Sequence, residues 1–246
     1  MNAEIKMSED KVYAKPMARV DAFRFDAGVA DVFQDMIERS VPGYGLVLDL
    51  IGVVAECYGM PESNAYDLGC SLGASTLQLR RHLPSDCTVI GVDNSPAMIE
   101  RCQANMARDH SAAAFEIREQ DLRETRIESA SIVVLNFTLQ FVPSNERLAV
   151  LKSIYEGLKP GGVIVLAEKT LAADDNRQSL LTELHHQFKK LHGYSDLEVA
   201  QKRAALENVL VPDTQTIHEE RLRLAGFGTV EQCVHCLNFS TFLGIK

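Results

Sequence analysis

Short apolar runs alternate with amphipathic helical segments from residue 65 to residue 167, and this order constrains the fold more than any other feature of the chain. The runs, such as 89–92, are apolar at successive positions, which is typical of strands covered on both faces. Such strands, when helices separate them, form parallel sheets with helices on either side. The sequence therefore predicts an α/β, Rossmann-like doubly wound fold.

The predicted elements follow from apolar spacing and from residues that begin or end helices. The spacing after Asp26 predicts one helix that ends at Val41–Pro42–Gly43, and a second helix is expected from Tyr44 to about Cys57. Ser95 and Pro96 are the expected N-cap and first residue of a later helix. The predicted strands cover 65–68, 88–92, 114–117, 131–135 and 163–167, with helices over 74–82 and about 145–158 and a turn at 159–162.

The alternation stops after Lys169. Two helices are predicted over 174–191 and about 195–209, and Ser195 with Glu198 forms a capping box at the start of the second. A further helix over about 213–225 ends at Gly226, and the tail 227–245 alternates like an antiparallel strand pair. We expect one domain over 1–246, with amino-terminal helices over 26–60 and a helical insertion at about 170–212.

Charge and hydropathy indicate the class of partner. The formal net charge is −9 and the basic residues are dispersed, which argues against direct binding of nucleic acid and favours a small-molecule substrate. No segment approaches the ~20 continuous apolar residues that a membrane span requires. The first 20 residues mix charges and lack the apolar region of a secretory signal, so we expect a cytoplasmic protein.

A glycine-rich turn and two acidic residues follow successive predicted strands. Gly69, Cys70 and Ser71 lie between a strand end and a helix start, where a ligand can approach backbone N–H groups closely. Asp93 follows the next strand, at the spacing where a carboxylate accepts hydrogen bonds from both ribose hydroxyls. Asp121, with the N–H of Leu122, follows the third strand and is suited to an adenine ring.

The ligand at this turn is better predicted as S-adenosylmethionine (SAM) than as a dinucleotide. A pyrophosphate favours a third glycine at the helix start, and Ala74 follows Gly73 instead. The methionine end of SAM carries a zwitterion that Asp67, Ser71 and the region of Gly69 could bind.

A metal site is not expected. Cys233 and Cys236 have the spacing of a zinc half-site, but no second pair stands at a suitable distance along the chain. The six cysteines are instead predicted to be small buried hydrophobic residues.

Several longer motifs resemble the carboxy-S-adenosylmethionine synthase family, over nearly the whole chain. Ser40–Val41–Pro42–Gly43–Tyr44 and Gln201–Lys202–Arg203 discriminate best, because the glycine turn alone is common to SAM-dependent transferases. The other matching segments are 25–26, 33–39, 67–73, 93–102, 133–141, 158–162 and 206–209.

The resemblance implies a Rossmann-like SAM-dependent methyltransferase fold with a mostly parallel seven-stranded sheet. It also implies a reaction in which SAM and prephenate give carboxy-SAM and phenylpyruvate. A separate enzyme then uses carboxy-SAM to carboxymethylate the wobble uridine of transfer RNA, giving 5-oxyacetyluridine. The family further suggests a homodimer.

The resemblance assigns the site residues. Arg203 would bind the added carboxylate and Tyr44 would contact carboxy-SAM, and these two are the candidate catalytic residues. The expected set that binds SAM or its product is Tyr44, Gly69, Cys70, Ser71, Asp93, Asn94, Asp121, Leu122, Asn136 and Arg203.

The role of Arg203 and the chemistry of the chain stay open at this point. Arg203 could instead be a solvent-facing helix residue paired with Glu207, or it could act within its own subunit or across a dimer. The chain could be a conventional SAM-dependent methyltransferase acting on a small acid or RNA, or a SAM-binding module without chemistry.

Overall fold

The computed structural model describes residues 8–246, and residues 1–7 of the predicted domain lie outside the described residues. The strands form one sheet in the order β3-β2-β1-β4-β5-β8-β7, in which β1 to β5 are parallel and β8 is antiparallel to β5 and β7. The short β6 pairs with the end of β5. The strands are β1 (Asn64–Leu68), β2 (Thr88–Asp93), β3 (Ala114–Glu119), β4 (Ala130–Asn136), β5 (Leu158–Leu171), β6 (Asp213–Thr214), β7 (Thr229–Cys236) and β8 (Phe239–Ile245).

Helices cover both faces of the sheet because the central strands alternate buried side chains between two cores. Tyr66, Val133 and Leu135 pack with residues of α6 and α9 on one face, and Ala65 and Val134 pack with α3 and α4 on the other. The helices are α1 (Ala27–Ala30), α2 (Phe33–Ser40), α3 (Tyr44–Tyr58), α4 (Ala74–His82), α5 (Pro96–Arg108), α6 (Arg147–Gly157), α7 (Asp175–Leu191), α8 (Asp196–Leu206) and α9 (Gln215–Ala225).

The strand order reverses direction beside β1, which lies between β2 and β4. At such a switch point the connections leave toward opposite faces, and a crevice opens beyond the carboxyl ends of the strands. The predicted α/β fold with an antiparallel carboxyl-terminal pair is therefore confirmed, and the expected ligand turn lies where this topology places a crevice.

Two predicted elements differ from the structure. The helix expected from Asp26 to Val41 is broken at Val32 (φ −121°, ψ 3°), because α1 packs on α5 whereas α2 packs on α3 and α7. The turn expected at 159–162 and the strand after it form one long strand, β5. This strand accommodates the turn through a register shift against β4, with Gly161 at φ 78°.

The region after β5 contains the two expected helices. The predicted capping box is present, since Ser195 Oγ accepts from the N–H of Glu198 and the Glu198 carboxylate accepts from the N–H of Ser195. The segment before α1 fastens α8, because the Gln201 side chain donates to the carbonyls of Tyr13 and Lys15. These contacts fix α8 against the rest of the fold.

No single helix within residues 8–246 has the length and apolar character of a membrane span. Helices α2 and α3 reach that character only when taken together, and the pair is bent by 101°.

Candidate functional site

A cleft of about 610 Å³ lies at the carboxyl ends of β1, β2, β3 and β4. Nine of the ten residues predicted to bind SAM or its product line it, and Arg203 is the exception. The nine are Tyr44, Gly69, Cys70, Ser71, Asp93, Asn94, Asp121, Leu122 and Asn136. Residues from four strand ends and from α3 therefore meet in one place, as expected from the parallel topology.

The glycine turn after β1 needs a glycine at position 69 for two reasons. Gly69 has φ 82°, and a Cβ there would come within 2.4 Å of the Thr138 side chain. Ser71 is also left-handed (φ 51°), although it carries a side chain. Left-handed conformations cost energy and persist only where the surrounding structure imposes them. Here they shape a turn whose backbone a ligand can approach closely.

Asp93 is held by hydrogen bonds from both loops that flank it. Its Oδ2 accepts from the N–H of Ser71 at 3.0 Å, and its Oδ1 accepts from the N–H of Ser95 at 2.9 Å. Burial raises the pKa of this carboxyl, and the backbone N–H groups oppose that rise. The carboxylate is thus fixed between β1 and β2, where its remaining lone pairs can accept two adjacent hydroxyl groups.

Asp121 lines the same cleft but is already engaged. Both of its carboxylate oxygens accept from the Arg123 guanidinium, at 3.0 and 2.7 Å, and this contact lowers the pKa of Asp121. Asp121 also accepts from the N–H of Arg123 and so caps the short turn that begins at Leu122. An adenine amine would share this carboxylate with Arg123.

Asp67 lies beneath the cleft and does not line it, contrary to the expectation that it binds the methionine end directly. Its Oδ2 accepts from the hydroxyl of Thr76 at 2.6 Å, and burial raises its pKa to about 7. Its Oδ1 has no hydrogen-bond partner among the described residues. The side chain is 1% exposed because β1 is a central strand, so α4 covers the carboxyl.

Asn136 offers an unused acceptor at the cleft wall. Its Nδ2 donates to Ser75 Oγ at 3.0 Å, whereas its buried Oδ1 accepts from no group within residues 8–246. A buried acceptor without a donor is costly, and a bound ammonium group would supply one. Asn136 therefore fits the amino group of a methionine moiety.

Tyr44 belongs to an aromatic wall of the cleft. Its ring lies 6.4 Å from that of Phe137, and the Phe137 ring makes an edge contact with Phe239. Burial raises the pKa of the Tyr44 phenol well above its ordinary value, so the hydroxyl remains protonated. The phenol can donate a hydrogen bond to a carboxylate but cannot act as a base near neutral pH.

Arg203 is exposed on α8 and lines a second groove, between α7 and α8. Within the described part of the chain it forms no ion pair with Glu207 or with any other carboxylate. The structure therefore does not bring Arg203 to the cleft of its own chain, and it does not show the surface pairing either. The Arg203 guanidinium nevertheless lies close enough to Lys169 and Lys189, which line the cleft, to lower the pKa of both.

Three lysines were not singled out from the sequence although they line the cleft: Lys169, Lys189 and Lys202. Lys169 lies near the carboxyl end of β5, just beyond the predicted strand 163–167, so the rule that drew attention to Asp93 and Asp121 applies to it as well. Lys189 and Lys202 come from α7 and α8, and no local pattern distinguishes them from surface lysines. Their proximity depends on how the insertion packs.

The cysteine expectation is half correct. Cys70, Cys87 and Cys102 are buried, but Cys57 and Cys233 are exposed because they lie on outward faces of α3 and β7. No three His, Cys, Asp or Glu side chains of residues 8–246 come together as a metal site.

Comparisons with known proteins agree with this geometry. Residues 65–162 match the family model described as a methyltransferase domain. The crystal structure of human N-acetylserotonin methyltransferase in complex with SAM superposes with a TM-score of 0.60 at 18% identity, covering 89% of this chain and 55% of that one, and it supports the fold alone.

Two curated relatives are similar over nearly their whole length. The carboxy-S-adenosyl-L-methionine synthase of Trichlorobacter lovleyi is 50% identical over 239 residues, which cover 96% of this chain and 98% of the relative. The protein of the same name from Vibrio atlanticus is 48% identical over 238 residues, with the same two coverages. The chain therefore belongs to the carboxy-S-adenosyl-L-methionine synthase family of SAM-dependent methyltransferase-fold proteins.

Proposed function

We propose that this protein is an enzyme that converts SAM and prephenate to carboxy-SAM and phenylpyruvate. The observation that carries the proposal is the single cleft in which Asp93, Asn136 and the Gly69 turn meet, in a chain about half identical to named synthases. The product would supply a separate enzyme that modifies the wobble uridine of transfer RNA, in the cytoplasm. The net charge of −9 supports a chain that does not bind the nucleic acid itself.

The proposed reaction balances without a metal or an oxidant. Prephenate loses carbon dioxide and hydroxide as its ring becomes aromatic, and phenylpyruvate is left. The hydroxide takes a proton from the sulfonium methyl group of SAM and becomes water. The methyl carbon, now an ylide, forms a bond to the carbon dioxide and so acquires a carboxylate.

The residues of the cleft support these reaction steps by positioning the substrates and by excluding water. Asp93 would hold the ribose, and Asn136 Oδ1 would accept from the amino group. Phe137, Phe141 and Phe239 make much of the wall apolar. An apolar wall limits the water that would protonate an ylide before it meets carbon dioxide.

A homodimer would bring Arg203 to a cleft. Leu180, Leu184 and Leu191 recur at helical spacing on one face of α7 and are 56, 43 and 84% exposed. Three exposed leucines in one stripe favour a protein contact, and the groove that contains Arg203 adjoins this helix. We infer that a second copy covers the stripe and that Arg203 reaches the product carboxylate of that copy.

Arg203→Ala tests the contact with the added carboxylate. This variant should weaken the binding of carboxy-SAM more than that of SAM, by ~2 to 4 kcal/mol if the ion pair is desolvated.

Complementation between subunits tests the shared site. Mixing Arg203→Ala chains with Asp93→Ala chains should restore about one quarter of the activity, because half the dimers are mixed and each has one intact site. Light scattering that finds only monomers, or a mixture as inactive as its components, would remove the dimer from the proposal.

Mass spectrometry of the bound ligand tests the reaction itself. Ligand released from freshly purified protein should include a species heavier than SAM by carbon dioxide, and incubation with SAM and prephenate should form phenylpyruvate above the spontaneous rate. SAM or S-adenosylhomocysteine alone, with methyl transfer to a small acid or RNA, would favour a conventional methyltransferase. Bound SAM with no phenylpyruvate and no methyl transfer would favour a binding module.

A further inference from the structure

The end of the cleft below α7 and α8 contains three lysine side chains. Lys169 extends from β5, Lys189 from α7 and Lys202 from α8, and all three line the same cavity as Tyr44. Lys189 and Lys202 are only 8 and 6% exposed. This end is therefore strongly cationic, although the protein as a whole is acidic.

The ammonium groups have few partners inside the chain. Lys202 Nζ donates to Ser40 Oγ at 2.9 Å and lies 3.7 Å from the Asp10 carboxylate. Lys169 and Lys189 make no side-chain hydrogen bond or ion pair with any of residues 8–246. Two ammonium groups thus face the cavity without an internal counter-charge.

The energetics of this arrangement favour a bound anion. Burying an ammonium group without a partner is expensive, and the cost is visible in the lowered pKa of Lys169, Lys189 and Lys202. Neighbouring positive charges, including Arg203, depress the pKa of Lys189 further. A ligand that carries negative charge would relieve both the desolvation and the repulsion.

The number of lysine charges and the aromatic surface of the cleft restrict the chemical class of the ligand. Asp10 offsets one of the three ammonium groups, so the charge left over matches a dicarboxylate. The same end has an aromatic surface, where His185 makes an edge contact with Phe239 at 5.0 Å and Phe239 contacts Phe137. A six-membered ring that carries two carboxylates fits both features.

We propose that Lys169, Lys189 and Lys202 form the binding subsite for the carboxylates of a cyclic dicarboxylate, the second substrate of the reaction. The proposal rests on the proposed function for the choice of prephenate as that substrate. It assigns the adenosyl moiety to the Asp93 end and the dicarboxylate to the lysine end of one cleft. Carbon dioxide released from the ring would then start close to the sulfonium group.

Calorimetry with prephenate tests the subsite without relying on turnover. The full-length protein is saturated with S-adenosylhomocysteine, and prephenate is titrated into wild type, Lys169→Gln and Lys189→Gln. Each variant should bind prephenate at least about tenfold more weakly, because it loses one desolvated ion pair. Lys152→Gln, at an exposed position of α6, removes the same charge far from the cleft and should bind like wild type.

The outcomes separate the subsite from the reaction. Loss of prephenate affinity with unchanged affinity for S-adenosylhomocysteine supports the subsite, whether or not wild type forms phenylpyruvate. Lys189→Arg should retain most of the affinity, which a merely structural role would not predict. Variants that bind prephenate like wild type, or a wild type that binds none, overturn the subsite. Failure to form phenylpyruvate with intact, lysine-dependent binding overturns the reaction alone.

Discussion

At the Asp93 end of the cleft the carboxylates form hydrogen bonds within the protein, whereas at the lysine end two ammonium groups have no such partner among residues 8–246. Asp93 accepts two backbone N–H bonds and Asp121 is engaged by Arg123. Lys169 and Lys189 have no comparable partner among residues 8–246. The two ends belong to one cavity but differ in how they are stabilised before any ligand binds.

This difference predicts different sensitivities. The Asp93 carboxylate is held in place by backbone N–H groups, which oppose the rise that burial causes in its pKa, so binding that depends on it should change little above neutral pH. The Lys189 ammonium group changes protonation near pH 7 because burial and neighbouring positive charges lower its pKa, and its charge is exposed to screening by salt when the cleft is open. The affinity for the adenosyl moiety should therefore depend little on pH and salt, whereas the affinity for the dicarboxylate should depend on both.

Removal of the fixed carboxylate should have the largest effect. Asp93→Ala is expected to weaken SAM and carboxy-SAM alike, by about 100-fold, because both ligands carry the ribose and lose charge-assisted hydrogen bonds. Calorimetry with each ligand measures the two affinities. A loss confined to carboxy-SAM would contradict the assignment of this end to the adenosyl moiety, and circular dichroism checks that the variant is folded.

The pH dependence should be confined to the lysine end. Its pKa values are about 7 for Lys189 and about 8 for Lys202, both below the ordinary 10.5. Between pH ~6 and ~9 the free enzyme therefore loses positive charge, and the KM for prephenate should rise about tenfold while the affinity for SAM stays nearly constant. Steady-state kinetics across this range measures both.

The charged and titratable groups around Lys189 allow a control. Burial lowers the pKa of Lys189, and positive charges on neighbouring elements, Lys202, Lys169 and Arg203, lower it further. Burial also keeps His185 neutral, with a pKa of about 2. His186 also has a lowered pKa, so it adds little charge in this range. Lys189→Arg remains protonated at every pH used and should flatten the rise in KM near pH 7. An unchanged profile in this variant would assign the titration to another group.

Asp121 should matter less than Asp93. Asp121→Ala is expected to weaken SAM by only about fivefold, because its carboxylate is partly exposed and already shared with Arg123. The released Arg123 can still bind Glu146, with which it forms a second ion pair at 2.7 Å. Calorimetry with SAM measures the change. A loss as large as that of Asp93→Ala would mean that the adenine contact dominates the adenosyl end.

Sequence reasoning located the adenosyl end because its residues follow a local rule. The Gly69 turn, Asp93 and Asp121 each come directly after a strand, and parallel strand ends meet at one edge of the sheet. The rule does not distinguish a side chain in the cleft from one beneath it, so it predicts a ligand contact for Asp67, whose buried side chain lies beneath the cleft. That distinction depends on how α4 covers β1.

The lysine end could not be predicted in the same way. Lys189 and Lys202 lie on helices of the insertion, and their burial depends on contacts between distant segments such as Lys202 with Ser40. The broken helix at Val32 has the same origin, since α1 and α2 pack on different partners. Local spacing predicts elements, whereas tertiary packing decides which polar side chains become buried.

The smallest expected effect is on stability, and it has the opposite sign from the effect on binding. Because the pKa of Lys189 is lowered in the folded protein, the unfolded chain binds more protons between pH ~7 and ~10.5. Below pH ~7 the lysine is charged in both states, and the folded protein carries the full free-energy cost of burying that charge. Lys189→Met should therefore raise the Tm of the ligand-free protein at pH ~6, by about 2–4 °C for roughly 1 kcal/mol, and the gain should shrink as the pH rises. Lys152→Met, at the exposed position on α6, should leave the Tm nearly unchanged. A Lys189→Met protein that melts earlier than wild type would mean that this ammonium group stabilises the fold, and the contrast between the two ends of the cleft would no longer hold.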